Sequence, residues 1–121
     1  MCLYINADNP VAKVAETDMT VWKIIRHNNM SLFMFFRYNR HNKYSVELEV
    51  LSNNTVESGF HAYITKDIAI ERAEFYKTVI GMEKLKVVQF TIPKGAQYYI
   101  GWCGKEIASN EIIAGDLRPC Q

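Results

Sequence analysis

The sequence predicts an α+β fold: a mixed, largely antiparallel sheet with one main helix, about residues 66–80, packed on one face. Three observations lead there. Short β-branched and aromatic runs recur along the chain, separated by Asn, Gly, Pro and Ser. A single stretch carries the spacing of an amphipathic helix. That stretch does not alternate regularly with the strands, which disfavours a doubly wound parallel sheet. At 121 residues the chain is read as a single domain, 1–121, large enough for one core.

Leu3 to Asn6 reads as a short first strand, stopped by Asp8-Asn9-Pro10 because proline lacks an amide donor and holds its predecessor extended. Thr20 to Arg26 is β-branched and aromatic, and His27-Asn28-Asn29 ends it with turn residues. Ser31 to Phe36 holds an unbroken apolar run too short for a typical helix, read as a strand covered on both faces by the core or by a second copy of the chain. Tyr44 to Leu51 alternates, with Val46, Leu48 and Val50 on one face and Ser45, Glu47 and Glu49 on the wet one. The turn Ser52-Asn53-Asn54-Thr55 then leads to a strand over Gly59 to Ile64, whose first glycine permits a bend.

In the helix, Thr65 is placed to cap the free amides, Asp67 lies near the positive end, and Gly81 stops it. Ala69, Ala73, Tyr76 and Ile80, with Ile68, Phe75 and Val79 beside them, form the apolar face, while Glu71, Glu74 and Lys77 face water. Arg72 falls inside the apolar arc and is expected to lay its stem along the core. Leu85 to Ile92, Gln97 to Trp102 and Asn110 to Ile113 complete the strands, with Pro93-Lys94-Gly95 as a turn.

Fourteen basic residues against thirteen acidic ones leave a net charge of +1, which gives no global case for a nucleic-acid or membrane-surface partner. No apolar window approaches the length of a membrane span, and Met1 to Asn6 lacks the pattern of a signal peptide. A cytoplasmic location is expected. Cys2, Cys103 and Cys120 are odd in number and far apart, so neither a disulfide framework nor a metal site is assigned. The glycosylation patterns at Asn29 and Asn53 carry no weight without an export signal.

Chemistry is concentrated in Arg37-Tyr38-Asn39-Arg40-His41-Asn42-Lys43-Tyr44, which interleaves cations with aromatic rings. Arginine grips phosphate with paired donors and tyrosine stacks on a base, so this loop reads either as a nucleotide-binding element or as a solvated hairpin loop. His61 is either held by a backbone carbonyl or available as acid, base or ligand near neutral pH. Glu106 and Glu111 are surface charges or carboxylates able to bind a ribose hydroxyl or act as a base. No nucleophile with its base stands out, and no catalytic residue or cofactor is assigned.

Val21 to Ile25, Gly59-Phe60-His61-Ala62-Tyr63, Ile92 to Tyr99 and Ile107 to Ile113 together resemble a group of short uncharacterised proteins of gut bacteria and their phages. The order of a strand, Gly-Phe-x-x-Tyr, a helix, a strand ending in Pro-Lys-Gly and a late Glu also resembles the core of ADP-ribosyltransferases. That second resemblance implies NAD binding, with Arg26 and Tyr63 at the nicotinamide end and Glu106 or Glu111 as the catalytic carboxylate. The Ser-Thr-Ser segment is missing, and the Glu-x-Glu pair, Glu47-Leu48-Glu49, precedes the helix.

The expected function is a non-catalytic binding protein for a nucleotide-like ligand or a host protein, with Arg26, Arg37, Arg40, His61 and Tyr63 as ligand-binding residues. Two alternatives stand beside it: an ADP-ribosyltransferase-like enzyme, and a homodimeric interaction module formed through Leu32, Phe33, Met34, Phe35 and Phe36.

Overall fold

Strand β3 (Met19–Arg26) is the centre of the molecule. It pairs along its whole length with β8 (Leu85–Ile92), from Met19 opposite Ile92 to Arg26 opposite Leu85. The computed structural model describes residues 3–4, 12–32, 36–51, 55–101 and 103–119. Around the central pair stand β2 (Lys13–Val14), β4 (Lys43–Ser45), β7 (Phe60–Tyr63), β9 (Gln97–Ile100), β10 (Glu106–Ser109) and β11 (Glu111–Ala114). The order is β2-β9-β10-β7-β3-β8-β11-β4, and every pairing is antiparallel. The α+β class and its antiparallel sheet agree with the sequence reading.

One residue, Asn110, joins β10 to β11, yet β10 pairs with β7 while β11 pairs with β8. A flat sheet cannot satisfy both, because β7, β3 and β8 lie between them. The sheet therefore curls until β7, β3, β8 and the bent β10–β11 strand form a ring. Ile107 and Ile112 both belong to the enclosed cluster although their separation is odd, so the bend at Asn110 includes a parity break of the kind a bulge produces. Asn110 fixes this corner by accepting from the Gln97 amide through Oδ1 at 2.9 Å and donating its own amide to the Gln97 carbonyl at 3.0 Å. Val21, Ile25, Val88, Phe90, Ile92, Ala62, Ile107, Ile112 and Ala114 fill the inside.

The helix α1 (Lys66–Phe75) connects β7 to β8, two strands that run the same way on either side of β3. Thr65 Oγ1 accepts from the Ile68 amide at 3.3 Å, as its capping position predicts. Ala69 and Ala73 pack with Ile24, Tyr63 and Val87 on the outer face of the ring. The remainder of the expected helix, Tyr76–Ile80, is a π-helical turn ending at Gly81 with φ 80°. Tyr76 stays buried and the wider turn changes the phase of the face beyond it, leaving Val79 and Ile80 67% and 55% exposed; Phe75, the last residue of α1, is 43% exposed, and all three depart from the sequence reading. Arg72 is also exposed, its guanidinium 5.8 Å from the centre of the Phe75 ring.

A second sheet, in the order β1-β6-β5, is built from β1 (Leu3–Tyr4), β6 (Thr55–Ser58) and β5 (Glu49–Val50). Val56 packs against Ala108, with Leu48, Val50 and Tyr99 alongside. Ala108 is the register partner of His61, so this sheet covers the same outer face on which Tyr63 meets the helix.

Among the described residues, one expected strand is divided. Tyr44 to Leu51 is divided, because Lys43–Ser45 edges the ring and Glu49–Val50 joins the second sheet. At the two ends of the expected strand over Ser31 to Phe36, Met30 bridges Arg37 antiparallel and the Ser31 amide donates to the Phe36 carbonyl at 2.7 Å. Phe33, Met34 and Phe35 lie outside the described residues. Gly59 does provide the bend expected of it, at φ 153°, between β6 and β7. Among the described residues, no helix is long and apolar enough to cross a membrane.

Candidate functional site

The ring has an open seam. Strands β3 and β7 bridge only at Trp22 and Tyr63; continuing that register would place Lys23 opposite Ala62 and Ile24 opposite His61, but neither pair forms. A cavity of about 210 Å³ occupies the gap. Lys23, Ile24, Phe60, His61, Ala62 and Tyr63 come from the two parted strands, Ser31, Leu32 and Tyr38 from the chain after β3, and Glu57 and Glu106 from β6 and β10.

Lys23 reaches across the seam. Its register partner is Val88, so the side chain points into the ring, and its Nζ donates to the main-chain carbonyl of His61. The side chain is part-buried, and that burial lowers its pKa to about 8. It also lies 5.8 Å from the centre of the Tyr38 ring. Among the described residues, neither ion pair involves Lys23, which leaves a part-buried cation served by a carbonyl and a ring face.

On the outer side, His61 Nδ1 lies 3.1 Å from the Gly59 carbonyl and must donate to it, since a carbonyl only accepts. In the neutral ring Nε2 is then an acceptor; it is buried and makes no hydrogen bond of full geometry, although the Val56 main chain is near enough to bear on the ring's ionisation. Burial, followed by the nearby Lys23 charge, pushes the His61 pKa below its ordinary value. The Tyr63 hydroxyl is likewise buried and makes no hydrogen bond of full geometry, although Tyr76 is close enough to couple to its ionisation. Its pKa is raised, chiefly by burial and then by Tyr76 and Glu106.

Of the five residues expected to bind ligand, the cavity gathers His61 and Tyr63. Arg26 is exposed and outside the lining, though its Nη2 donates to the carbonyl of Leu32, a lining residue, at 3.3 Å. Arg37 and Arg40 are exposed and also outside it. Their aromatic companions are not free to stack on a base: Tyr38 is buried, and Phe36, Tyr38, Tyr44 and Phe90 form edge-to-face contacts with centroids 4.9 to 5.4 Å apart. The spacing of two between Phe36 and Tyr38 carries this in the sequence, placing both rings on one face with Arg37 opposite.

The late carboxylates separate. Glu106 lines the cavity beside Tyr63, whereas Glu111 pairs with Lys43 at 3.1 Å on the far side of β8. Lys23 and Glu57 were not among the expected site residues. The signal for Lys23 was a lone lysine between Trp22 and Ile24 in a strand with apolar neighbours on both sides. Among the described residues, no group of three His, Cys, Asp or Glu side chains could hold a metal ion.

No protein-family model matches the chain, and neither a curated protein nor a solved structure matches it.

Proposed function

We propose that this chain is a small-molecule-binding protein whose site is the seam between β3 and β7, and that its ligand is nucleotide-like. One observation carries the reading: His61 and Tyr63 both line this cavity, and behind its surface His61 Nε2 and the Tyr63 hydroxyl are buried without full hydrogen-bond partners. Buried polar groups are ordinarily paired, and an incoming ligand supplies what the fold withholds.

Size and charge narrow the part of the ligand that enters. A volume of about 210 Å³ lies below the roughly 300 Å³ at the lower end for drug-sized ligands, so it suits one ring, a base or a sugar. Glu57 and Glu106 suit hydroxyl or amino donors and oppose a phosphate inside. The phosphate end belongs outside, where the exposed Arg26 reaches a lining carbonyl and Arg72 influences the ionisation of Tyr63.

Thermal shift against nucleosides, mono- and dinucleotides, ADP-ribose and free phosphate tests this, since a ligand selective for the folded state raises Tm. Shifts from nucleosides that grow with added phosphates are expected; a shift from free phosphate alone, or none from any compound, sinks the reading. The sharing of one cavity by Tyr63 and Glu106 favours the ADP-ribosyltransferase-like alternative as well. Arg26, which that analogy also calls for, does not line it, and neither does Glu111, its other candidate carboxylate. NAD cleavage by the purified protein, abolished in Glu106→Gln with NAD binding retained, would establish that alternative.

A further inference from the structure

We infer that the Lys23 amine is a nucleophile that captures small carbonyl compounds entering the seam as imines. The inference requires the seam to admit a small molecule and does not depend on nucleotide binding.

Three features of the fold lead to it. Lys23 lines the cavity, so its amine adjoins space that a small molecule can enter. Among the described residues its amine donates to a neutral acceptor, the His61 carbonyl, and has no ion pair that would hold it charged. Its other close neighbour is the face of the Tyr38 ring. A lysine so placed gives up a proton far more readily than an exposed one, which is the condition for amine nucleophiles. The lowered pKa of about 8 is consistent with that setting.

The neutral amine carries two hydrogens and one lone pair. One N–H remains on the His61 carbonyl while the lone pair faces the carbonyl carbon of the ligand. Attack forms the N–C bond, and the proton lost from nitrogen passes to the former carbonyl oxygen. Nitrogen then expels that oxygen as water, taking up a second proton on the oxygen and releasing its own last N–H proton to leave a neutral C=N. No oxidant, reductant or cofactor enters the balance.

The groups that govern this amine's protonation lie on every side of it. Tyr38 and His61 flank it, and Glu57 and Glu106 line the same cavity. The carboxylates favour the ammonium, and a protonated His61 would favour the amine, so the yield follows the Lys23 titration and not that of exposed lysines. Glycolaldehyde is small enough for the space and neutral enough to ignore the local charge.

The folded protein is incubated with glycolaldehyde and sodium cyanoborohydride at pH 7.5, and each lysine's secondary amine is quantified by peptide mass spectrometry. Lys23 should be modified at least about tenfold faster than the exposed Lys66 and Lys94, and the preference should vanish in urea. Lys23→Arg should lose the fast adduct and leave the slow ones unchanged. Modification of Lys23 no faster than Lys66 in the folded protein overturns the inference, with no variant needed. Adding a nucleoside separates the two readings: fast labelling without protection supports the amine's reactivity and counts against the nucleoside site, whereas protection with fast labelling otherwise supports both.

Discussion

The ammonium of Lys23 is bonded to the main-chain carbonyl of His61, a residue thirty-eight positions away on the strand that β3 pairs with only at Trp22 and Tyr63. A side chain has taken the place of a rung in the ladder. Its charge is then a cost that pH can remove. In the unfolded chain Lys23 holds its proton up to its ordinary value of 10.5, while in the folded protein it releases it near 8. Between those values the unfolded state binds more protons, so stability rises with pH.

Raising the pH from 8 to 10 should therefore stabilise the protein by roughly 2 kcal/mol through this group. Lys23→Met should lose the rise. The window closes at the ordinary tyrosine value of 10, above which Tyr38, whose pKa burial pushes up to about 12, contributes in the opposite sense. Urea unfolding of both proteins at several pH values measures the difference.

His61 acts at the acid end. Its folded pKa lies below the ordinary 6.5, so as pH falls through 6.5 the unfolded chain takes up a proton that the folded one refuses. Stability is lost from there downward until the folded value is reached. The Tm of the wild type should fall more than that of His61→Gln between pH 7 and 5, and equal falls would mean that the ring is not enclosed as described.

Gly59 sets the bend that delivers β7 to the seam. A Cβ there would sit 2.8 Å from Leu48 Cδ2 and 3.4 Å from the Ser109 carbonyl, on a backbone with φ 153°. Gly59→Ala should cost about 1–2 kcal/mol in unfolding free energy. Any ligand bound at the seam should weaken with it.

Tyr63→Phe removes a buried hydroxyl that has no full hydrogen bond. Stability should stay within about 0.5 kcal/mol or increase, because nothing well paired is lost. Ligand affinity should drop about fivefold, the worth of one neutral hydrogen bond. Unchanged affinity, by calorimetry on a ligand that shifts Tm, would place the hydroxyl outside the contact.

Much of this architecture was legible in local residue chemistry. Thr65 and Gly81 bounded the helical segment, the β-branched run ending at Arg26 gave the central strand, and Gly59 gave a bend. Curling of the sheet was not legible, because it depends on a parity break at Asn110 and on pairings between strands far apart in the chain. Nor was the seam, which is a pairing that stops after one bridge. His61 was singled out for its titratable ring and Tyr63 through the ADP-ribosyltransferase resemblance, and both line the cavity. The arginines of the 37–44 loop lie outside the cavity, and local composition could not show that Tyr38 and Tyr44 pack with the core.

The bend at Asn110 matters mechanically as well. Opposite the seam the ring is closed by unbroken polypeptide, since β10 and β11 are one strand turned at a corner, so pulling the seam apart separates no other pair of strands. The molecule is built like a cuff, with a covalent back and a clasp. Helix α1 lies over the clasp, touching β7 on one side and β3 and β8 on the other. Spreading the cuff to admit a larger guest would load that helix first, and amide hydrogen exchange along Ala69 to Tyr76 would register the strain before the enclosed ring did.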